Sequence, residues 1–487
     1  MKHPDWASKF KKKGTELRFI NGRYYLYRIS SVWDKEKNRS RKITHEMIGR
    51  ITEIDGLILR GTKKEPKKIE IKNLYVKEYA ASHILKNICF DIVQILKNNF
   101  SNYWREILVL AINRLLYQAP LKNMDFLYQE SFLSVEFEGL NLTKNFLTKF
   151  IHDIGTDREK VSDFLKKFVD GCEHLVFDTT HIVSQSQNMK MNEVGYNSLH
   201  SFDPQVNLFY FFSVDQQMPV YYRIFPGNIA GMSALKLCVL ESKIKSCTVI
   251  GDKGFFSDAN MKSLEEASLK FILPLKRDSN YIDYCRLNDR NYEKAFDGHF
   301  FYQERVIFFY NIKLKNEKNV IIKNVIVFLD PKLRLEEEKS YLKRIKEKYT
   351  GYTIENYQLK QNVFGTISMI TNLVDTSPQK IYENYKSRME IETVFDTYKN
   401  LIQADRTYMQ SNDSINGWLF INHIATMMYY KIFNLIKKCE LLSHLSPKDL
   451  FTKLIKINKI KINDTWHLAE INTQSQKLFK KLSLHIT

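Results

Sequence analysis

The spacing of apolar and polar positions changes character several times along the chain. Residues 15–59 read as a small antiparallel sheet. ELRFI and RYYLYRISSV flank Asn21-Gly22, a strong two-residue hairpin signal. A polar turn, DKEKNRS, leads to a third strand, ITHEMIGRI, and RGTKKEPKK at 60–68 reads as an exposed basic linker. From about 77 to 170 the period becomes helical. AASHILKNICFDIVQIL, NYWREILVLAINRLLY, LTKNFLTKFIHDI and DREKVSDFLKKFV carry apolar residues three and four apart. This block suits a DNA-binding or packing module. At 174 the pattern shortens to apolar runs that read as buried strands: HLVFDTTHIV, QVNLFYFFSV and MPVYYRIFPG. A helix over Gly231–Lys245, the strand CTVIGD, the capped helix SDANMKSLEEAS and the strand KFILPLK complete a mixed α/β sheet. Residues 276–375 interrupt with strand-like HFFYQERVIFFYNIKL, NVIIKNVIVFL and GTISMITNLV around a charged helix. A long helix, SPQKIYENYKSRMEIETVFDTYKNLI, follows, with Ser377 as its cap and Pro378 in its first turn.

These patterns divide the α/β chain into five parts. The expectation is a basic N-terminal β-hairpin module at 1–74 and a helical domain at 75–170. A core built from 171–275 and 376–430 surrounds a β-rich insertion at 276–375. A basic C-terminal helical segment, a candidate dimer contact, occupies 431–487.

Composition narrows the class. Of 487 residues, 44% are hydrophobic and 13% aromatic, enough for an extensive core and too many for a mainly disordered chain. Six dispersed cysteines with no CxxC pair fit a reduced compartment and no zinc knuckle. Apolar stretches such as Leu208–Phe212 fall far short of the ~20 residues of a membrane helix, and the N-terminus lacks a signal-peptide core. The expectation is a soluble cytoplasmic protein. The net charge of +19 points to a polyanionic partner, and it is unevenly spread. Residues 1–74 hold 20 Lys and Arg against 9 Asp and Glu, and 431–487 hold 11 against 4. The segment 75–430 is almost balanced, at 43 against 42. Seven of the 19 arginines fall in the first 60 residues, where their forks suit phosphates and base edges.

Three acids stand out by position. Asp178 is the only acid in an otherwise apolar strand, Asp252 follows the strand CTVIGD, and Glu392 lies in the long helix. Asp252 also suits a turn before Lys253-Gly254. A carboxylate inside a buried strand, such as Asp178, needs a partner or a metal. In the helix, Tyr385, Arg388, Glu392 and Lys399 form Y-x2-R-x3-E-x6-K. At ~100° per residue they share a stripe about 60° wide. A Tyr, two cations and an acid on one face suit a phosphate-bearing ligand: Glu392 for a metal, Arg388 and Lys399 for phosphate oxygens, Tyr385 for a hydrogen bond or stack. A solvated face with an Arg388–Glu392 pair is the competing reading. Asp396, one turn on, is the rival carboxylate.

These residues resemble a DDE transposase of bacterial insertion sequences, in the branch named for its Tyr-Arg-Glu-Lys signature. FDTTHI resembles the first-Asp strand and IGDKGFFS the second-Asp motif. GTISMITN followed by the signature resembles the third-acid block, and NGWLFINHIATMMYY the trailing helix. The resemblance implies an RNase H-like core with a β-rich insertion between strand five and the Glu-bearing helix. It implies Asp178, Asp252 and Glu392 as catalytic metal ligands, and two Mg²⁺ or Mn²⁺ ions in phosphoryl transfer. His181 then reads as a neighbour rather than a ligand. Tyr385, Arg388 and Lys399 would contact DNA. The partners implied are double-stranded DNA, as terminal inverted repeats and target, and a second copy in a synaptic complex. Members of the branch can hold a flipped base on a Trp in the insertion. None of the five Trp lies in 276–375, which leaves Phe255, Phe256 or an insertion Tyr or Phe for that role, or no hairpin step at all. Two further readings are a structure-selective RNase H-like nuclease and an inactive DNA-binding relative.

Overall fold

A computed structural model of the chain describes residues 3–61, 73–195, 203–229, 231–287 and 296–486. The chain divides into two compact units, 1–72 and 73–487. Most of the linker expected at 60–68 lies outside the described residues.

The first unit is a four-stranded antiparallel sheet of β1 (Thr15–Ile20), β2 (Arg23–Asp34), β3 (Arg39–Thr52) and β4 (Gly56–Leu59), in that order. Asn21 and Gly22 both adopt positive φ, 49° and 78°, as a tight hairpin turn demands. A small core of Ala7, Leu17, Leu26 and Ile51 lies at the base of the sheet. The stretch DKEKNRS is not all turn. β2 runs to Asp34 and β3 begins at Arg39, so only four residues connect them. Polar side chains in a strand exposed on both faces leave no alternation to read.

The second unit begins with β5 (Leu74–Glu78), followed by the helical block, whose longest members are Trp104–Tyr117, Lys144–Thr156 and Arg158–Val169. The central sheet has eleven strands. Its core comprises β6 (His174–Ser184), β8 (Pro204–Ser213), β9 (Met218–Pro226), β10 (Thr248–Ile250) and β11 (Lys270–Leu275), with the two-residue β7 (Glu193–Val194) on β8. β6, β8 and β9 form an antiparallel meander, while β10 and β11 run parallel to β6. The resulting order, β9-β8-β6-β10-β11, is the RNase H-like arrangement.

The insertion continues this same sheet rather than forming a separate one. Its strands are β12 (Gly298–Tyr302), β13 (Arg305–Lys315), β14 (Ile321–Leu329) and β15 (Thr366–Thr371). β15 pairs antiparallel with β11, and the others follow outward. β16 (Arg406–Thr407) pairs with the far end of β6.

The helix Asn412–Lys438 runs through the core. Ile415, Leu419, Phe420, Ile424, Met428 and Ile432 are all buried, as expected of a helix apolar all round. It meets Lys144–Thr156 at a close crossing: a Cβ on Gly155 would lie 1.7 Å from the Asp413 carbonyl, and one on Gly417 would lie 1.9 Å from that of Ile151. The helical block therefore packs on the core, and this helix buries most of its apolar surface within its own chain. The C-terminal segment is also not all helix. β17 (Asn458–Ile462) and β18 (Thr465–Leu468) form a hairpin that pairs with β5.

Candidate active site

The parallel register of β6 and β10 brings the two aspartates together. Ile250 pairs with Val176. Two residues further along each strand stand Asp252 and Asp178. β10 has ended by then, and β16 joins β6 only at Val183, so this side of β6 is open between them. Asp178 lies in the sheet opposite Tyr210 of β8, with its side chain largely buried. Asp252 starts the single turn Lys253–Phe255, where its carbonyl accepts the Phe255 N–H at 2.9 Å.

The third acid comes from an irregular helix. The sequence pattern predicts one continuous helix from Ser377. Ser377 does cap it, accepting the Lys380 N–H at 3.3 Å, but the helix runs in pieces: Pro378–Lys386, a tight turn at 387–388, Met389–Asp396, then a π-helical stretch over Thr397–Leu401. Ile391 and Val394 are buried, and Glu392 faces outward from the same turn.

One guanidinium joins the three acids. Arg388 Nη2 donates to Glu392 Oε1 at 2.9 Å, and Nη1 lies 3.6 Å from both Asp178 Oδ2 and Asp252 Oδ1. Burial lifts the Asp178 carboxyl from 3.8 to about 6. The Thr179 N–H and Arg388 oppose this rise, and the charges of Asp252 and Glu392 add to it. Burial works against the charge on Arg388, but Asp252, Tyr385, Asp178 and Glu392 outweigh it and hold the guanidinium above its usual range. Tyr385 stands beside this cluster: burial raises its phenol, Arg388 opposes, and Asp252 and Glu392 add to the rise.

Lys399 is not part of the Arg388 cluster. Burial depresses its ammonium, Asp405 supports it, and it acts in turn on His181. A uniform 100° per residue would have kept it on the Glu392 stripe. Seven residues nonetheless carry it about 10 Å along the axis from Glu392, at ~1.5 Å per residue, into the π-helical stretch Thr397–Leu401. His181 itself points to the other face of β6 from Asp178, as its odd spacing requires. Asp396, the rival acid, accepts from Asn400 Nδ2 at 2.6 Å. Phe255 is buried and packs on Phe177 at 4.6 Å between ring centroids, so it belongs to the core rather than to base holding. Phe256 meets Tyr281 edge-on at 6.0 Å.

Among the described residues a tighter ligand group, within 4.8 Å, is Glu173, His174 and Asp215 at the start of β6. The Asp215 oxygens are already engaged: Oδ2 accepts the N–H groups of Glu173 and His174 at 2.8 and 2.9 Å, and Oδ1 lies 3.2 Å from His174 Nδ1. That cluster closes a turn. The Arg388 cluster instead gathers three hard oxygen donors, with no thiol or imidazole among them, which suits Mg²⁺ or Mn²⁺. Among the described residues no helix is long and apolar enough to cross a membrane.

No curated protein matches the chain. Among solved structures, it is similar to one described as the cryo-EM structure of the piggyBac transposase synaptic complex with hairpin DNA. The TM-score is 0.36 at 10% identity, covering 77% of this chain and 70% of that one. The family model for the transposase DDE domain matches residues 171–428, more than half of the sequence, and spans all three acids. The chain belongs to the DDE transposase family.

Proposed function

We propose that this protein is an active transposase. It binds the terminal inverted repeats of its own insertion sequence, cleaves DNA at the ends and joins the 3′-OH ends to target DNA. The observation that carries the reading is the meeting of Asp178, Asp252 and Glu392 around the single Arg388 guanidinium.

Asp178, Asp252 and Glu392 would together hold the divalent ions, with Asp178 fixed in the sheet and Glu392 on the helix. Magnesium or manganese bound there supplies an activated water or 3′-OH and a stabilised leaving oxygen, so no histidine base is needed. The chain's own residues position the DNA. The planar fork of Arg388 suits two oxygens of one phosphate, and Tyr385 offers a hydroxyl beside it. Lys399, set apart with His181 and Asp405, would meet the backbone flanking the cut. The N-terminal module, with its excess of Lys and Arg, would grip the ends, and two copies would pair them in a synapse.

The test is Asp178→Asn in the full chain. Strand cleavage should be abolished while binding to terminal-repeat DNA is kept; retained cleavage sinks the assignment. A supercoiled-plasmid integration assay separates transposition from simple nuclease action, since a nuclease would cut without joining.

A further inference from the structure

The N-terminal sheet is uneven. β1 pairs with β2 only over Arg23–Arg28, and β4 pairs with β3 only over Gly49–Thr52. Beyond them, Ser30–Asp34 and Arg39–Ile43 pair with each other alone among the described residues. These five pairs and their turn make a two-stranded ribbon about 15 Å long at ~3.4 Å per residue. Both of its faces are open to solvent. Val32 is 53% exposed, Trp33 60% and Ile43 39%. An isolated two-stranded ribbon of this kind has little stability of its own, and a ribbon that keeps apolar groups in water has a surface to cover.

The register sorts its side chains. Directly opposed residues share a face, so Val32 with Arg41, and Asp34 with Arg39, lie on one side. Trp33 with Ser40, and Ser31 with Lys42, lie on the other. Lys42 is engaged by Glu16, whereas no ion pair within 4 Å holds Arg39 or Arg41 among the described residues, although Asp34 stands opposite Arg39. Two unpaired guanidinium forks beside a valine form a base-reading surface: arginine matches the O6 and N7 edge of guanine, and an apolar group meets the thymine methyl. A two-stranded ribbon also fits the width of the B-DNA major groove.

We infer that the β2–β3 ribbon enters the major groove of double-stranded DNA and reads bases with Arg39, Arg41 and Val32. This rests on the reading of the protein as a DNA-binding transposase and specifies which element of the module selects the sequence.

The experiment uses full-length protein and a random-sequence duplex pool, from which the unaltered chain selects its preferred site. Binding to that site and to a scrambled duplex is then measured over a range of salt. The double variant Arg39→Ala/Arg41→Ala should reduce the preference at least about 10-fold. Arg39→Lys/Arg41→Lys should keep the affinity for scrambled DNA but not the preference, because lysine lacks the fork. Replacing guanine by 7-deazaguanine in the selected site should weaken the unaltered protein and leave the double alanine variant little changed. An unchanged preference in the alanine variant, or selection of no site at all, overturns the inference. A chain beginning at residue 73 separates the two levels. If it loses the site while the ribbon variants keep it, the module binds DNA by another surface and only the ribbon inference fails. If it keeps the site, the assignment of DNA-end binding to this module fails as well.

Discussion

Arg388 Nη1 lies 3.6 Å from Asp178 Oδ2 although 209 positions separate the two residues in the chain. The same guanidinium reaches Asp252 and Glu392, so three carboxylates share one cation. Removing it leaves those charges facing one another. In Arg388→Ala the Asp178 carboxyl should therefore hold its proton to a higher pH than in the parent, since Arg388 opposes that rise. NMR titration of the Asp178 carboxyl in metal-free protein checks this, and an unchanged or lower value contradicts it.

Stability should carry the same signature. The folded pKa of Asp178 is raised from 3.8 to about 6. The folded state thus binds this proton more tightly than the unfolded state does. The resulting contribution is complete below about pH 4 and is lost as pH rises through about 6. Asp178→Asn removes the ionisation. In chelator, the variant should match the parent near pH 4 and exceed it at pH 8 by about 2–3 kcal/mol, the equivalent of the shift. Urea denaturation at the two pH values measures the difference. A variant equally displaced at both would show that the carboxyl does not titrate in this way.

Divalent ions should act through the same three acids. Excess Mn²⁺ should raise the melting temperature of the parent chain, by about 2.7 kcal/mol of stability at one hundred times the dissociation constant. Asp178→Asn and Glu392→Gln should each blunt that rise. Scanning calorimetry with and without Mn²⁺ reads it without any DNA present. An undiminished rise in both variants would place the ion elsewhere, the Glu173, His174 and Asp215 group being the first place to look.

Arg114 is the buried tie between the helical block and the Glu-bearing segment. Its Nε donates to Asn422 Oδ1 at 2.8 Å and its Nη1 to the Gln118 and Ala119 carbonyls at 2.7 and 3.1 Å, while Nη2 reaches the Ile402 carbonyl. It also stacks over Trp418 at 4.8 Å. Arg114→Ala strands several buried acceptors and should cost about 3–5 kcal/mol. Arg114→Lys should recover only part of this, because one ammonium cannot span these directions. Chemical denaturation of both variants tests it; a loss within experimental error in Arg114→Ala would remove the tie.

At the helix crossing, Gly417→Ala should destabilise the protein even though alanine favours a helix over glycine by about 1 kcal/mol. The added Cβ would sit 1.9 Å from the Ile151 carbonyl, so the two helices must part. A melting temperature equal to or above that of the parent would show that the crossing can open freely.

Much of the architecture was legible before any coordinates. The five core strands, their order and the placing of Asp178 and Asp252 on or just after strands follow from apolar runs bounded by turns, because burial on both faces leaves that mark on a sequence. The Asn21-Gly22 hairpin was legible because only a few residues accept its backbone angles. The Ser377 cap was legible for a related reason, since a free helix N-terminus selects few side chains. The tyrosine, arginine and acid of the signature were legible as neighbours through helical spacing.

Tertiary structure decided the rest. The step that sets Asp178 beside Asp252 depends on parallel register, which no local pattern encodes. Lys399 sits with Asp405 and His181 rather than in the cluster, and the π-helical stretch over Thr397–Leu401 was not legible in the helical spacing. The pairing of β17 with β5 joins segments almost 400 residues apart, and the burial of Asn412–Lys438 within its own chain depends on which helices meet it. Hydrophobic period determines that a face will be buried, and turn chemistry determines where the chain reverses. Neither specifies the partner, because many surfaces satisfy the same apolar stripe. That choice falls to packing, and here packing brings three acids from distant segments within reach of one arginine.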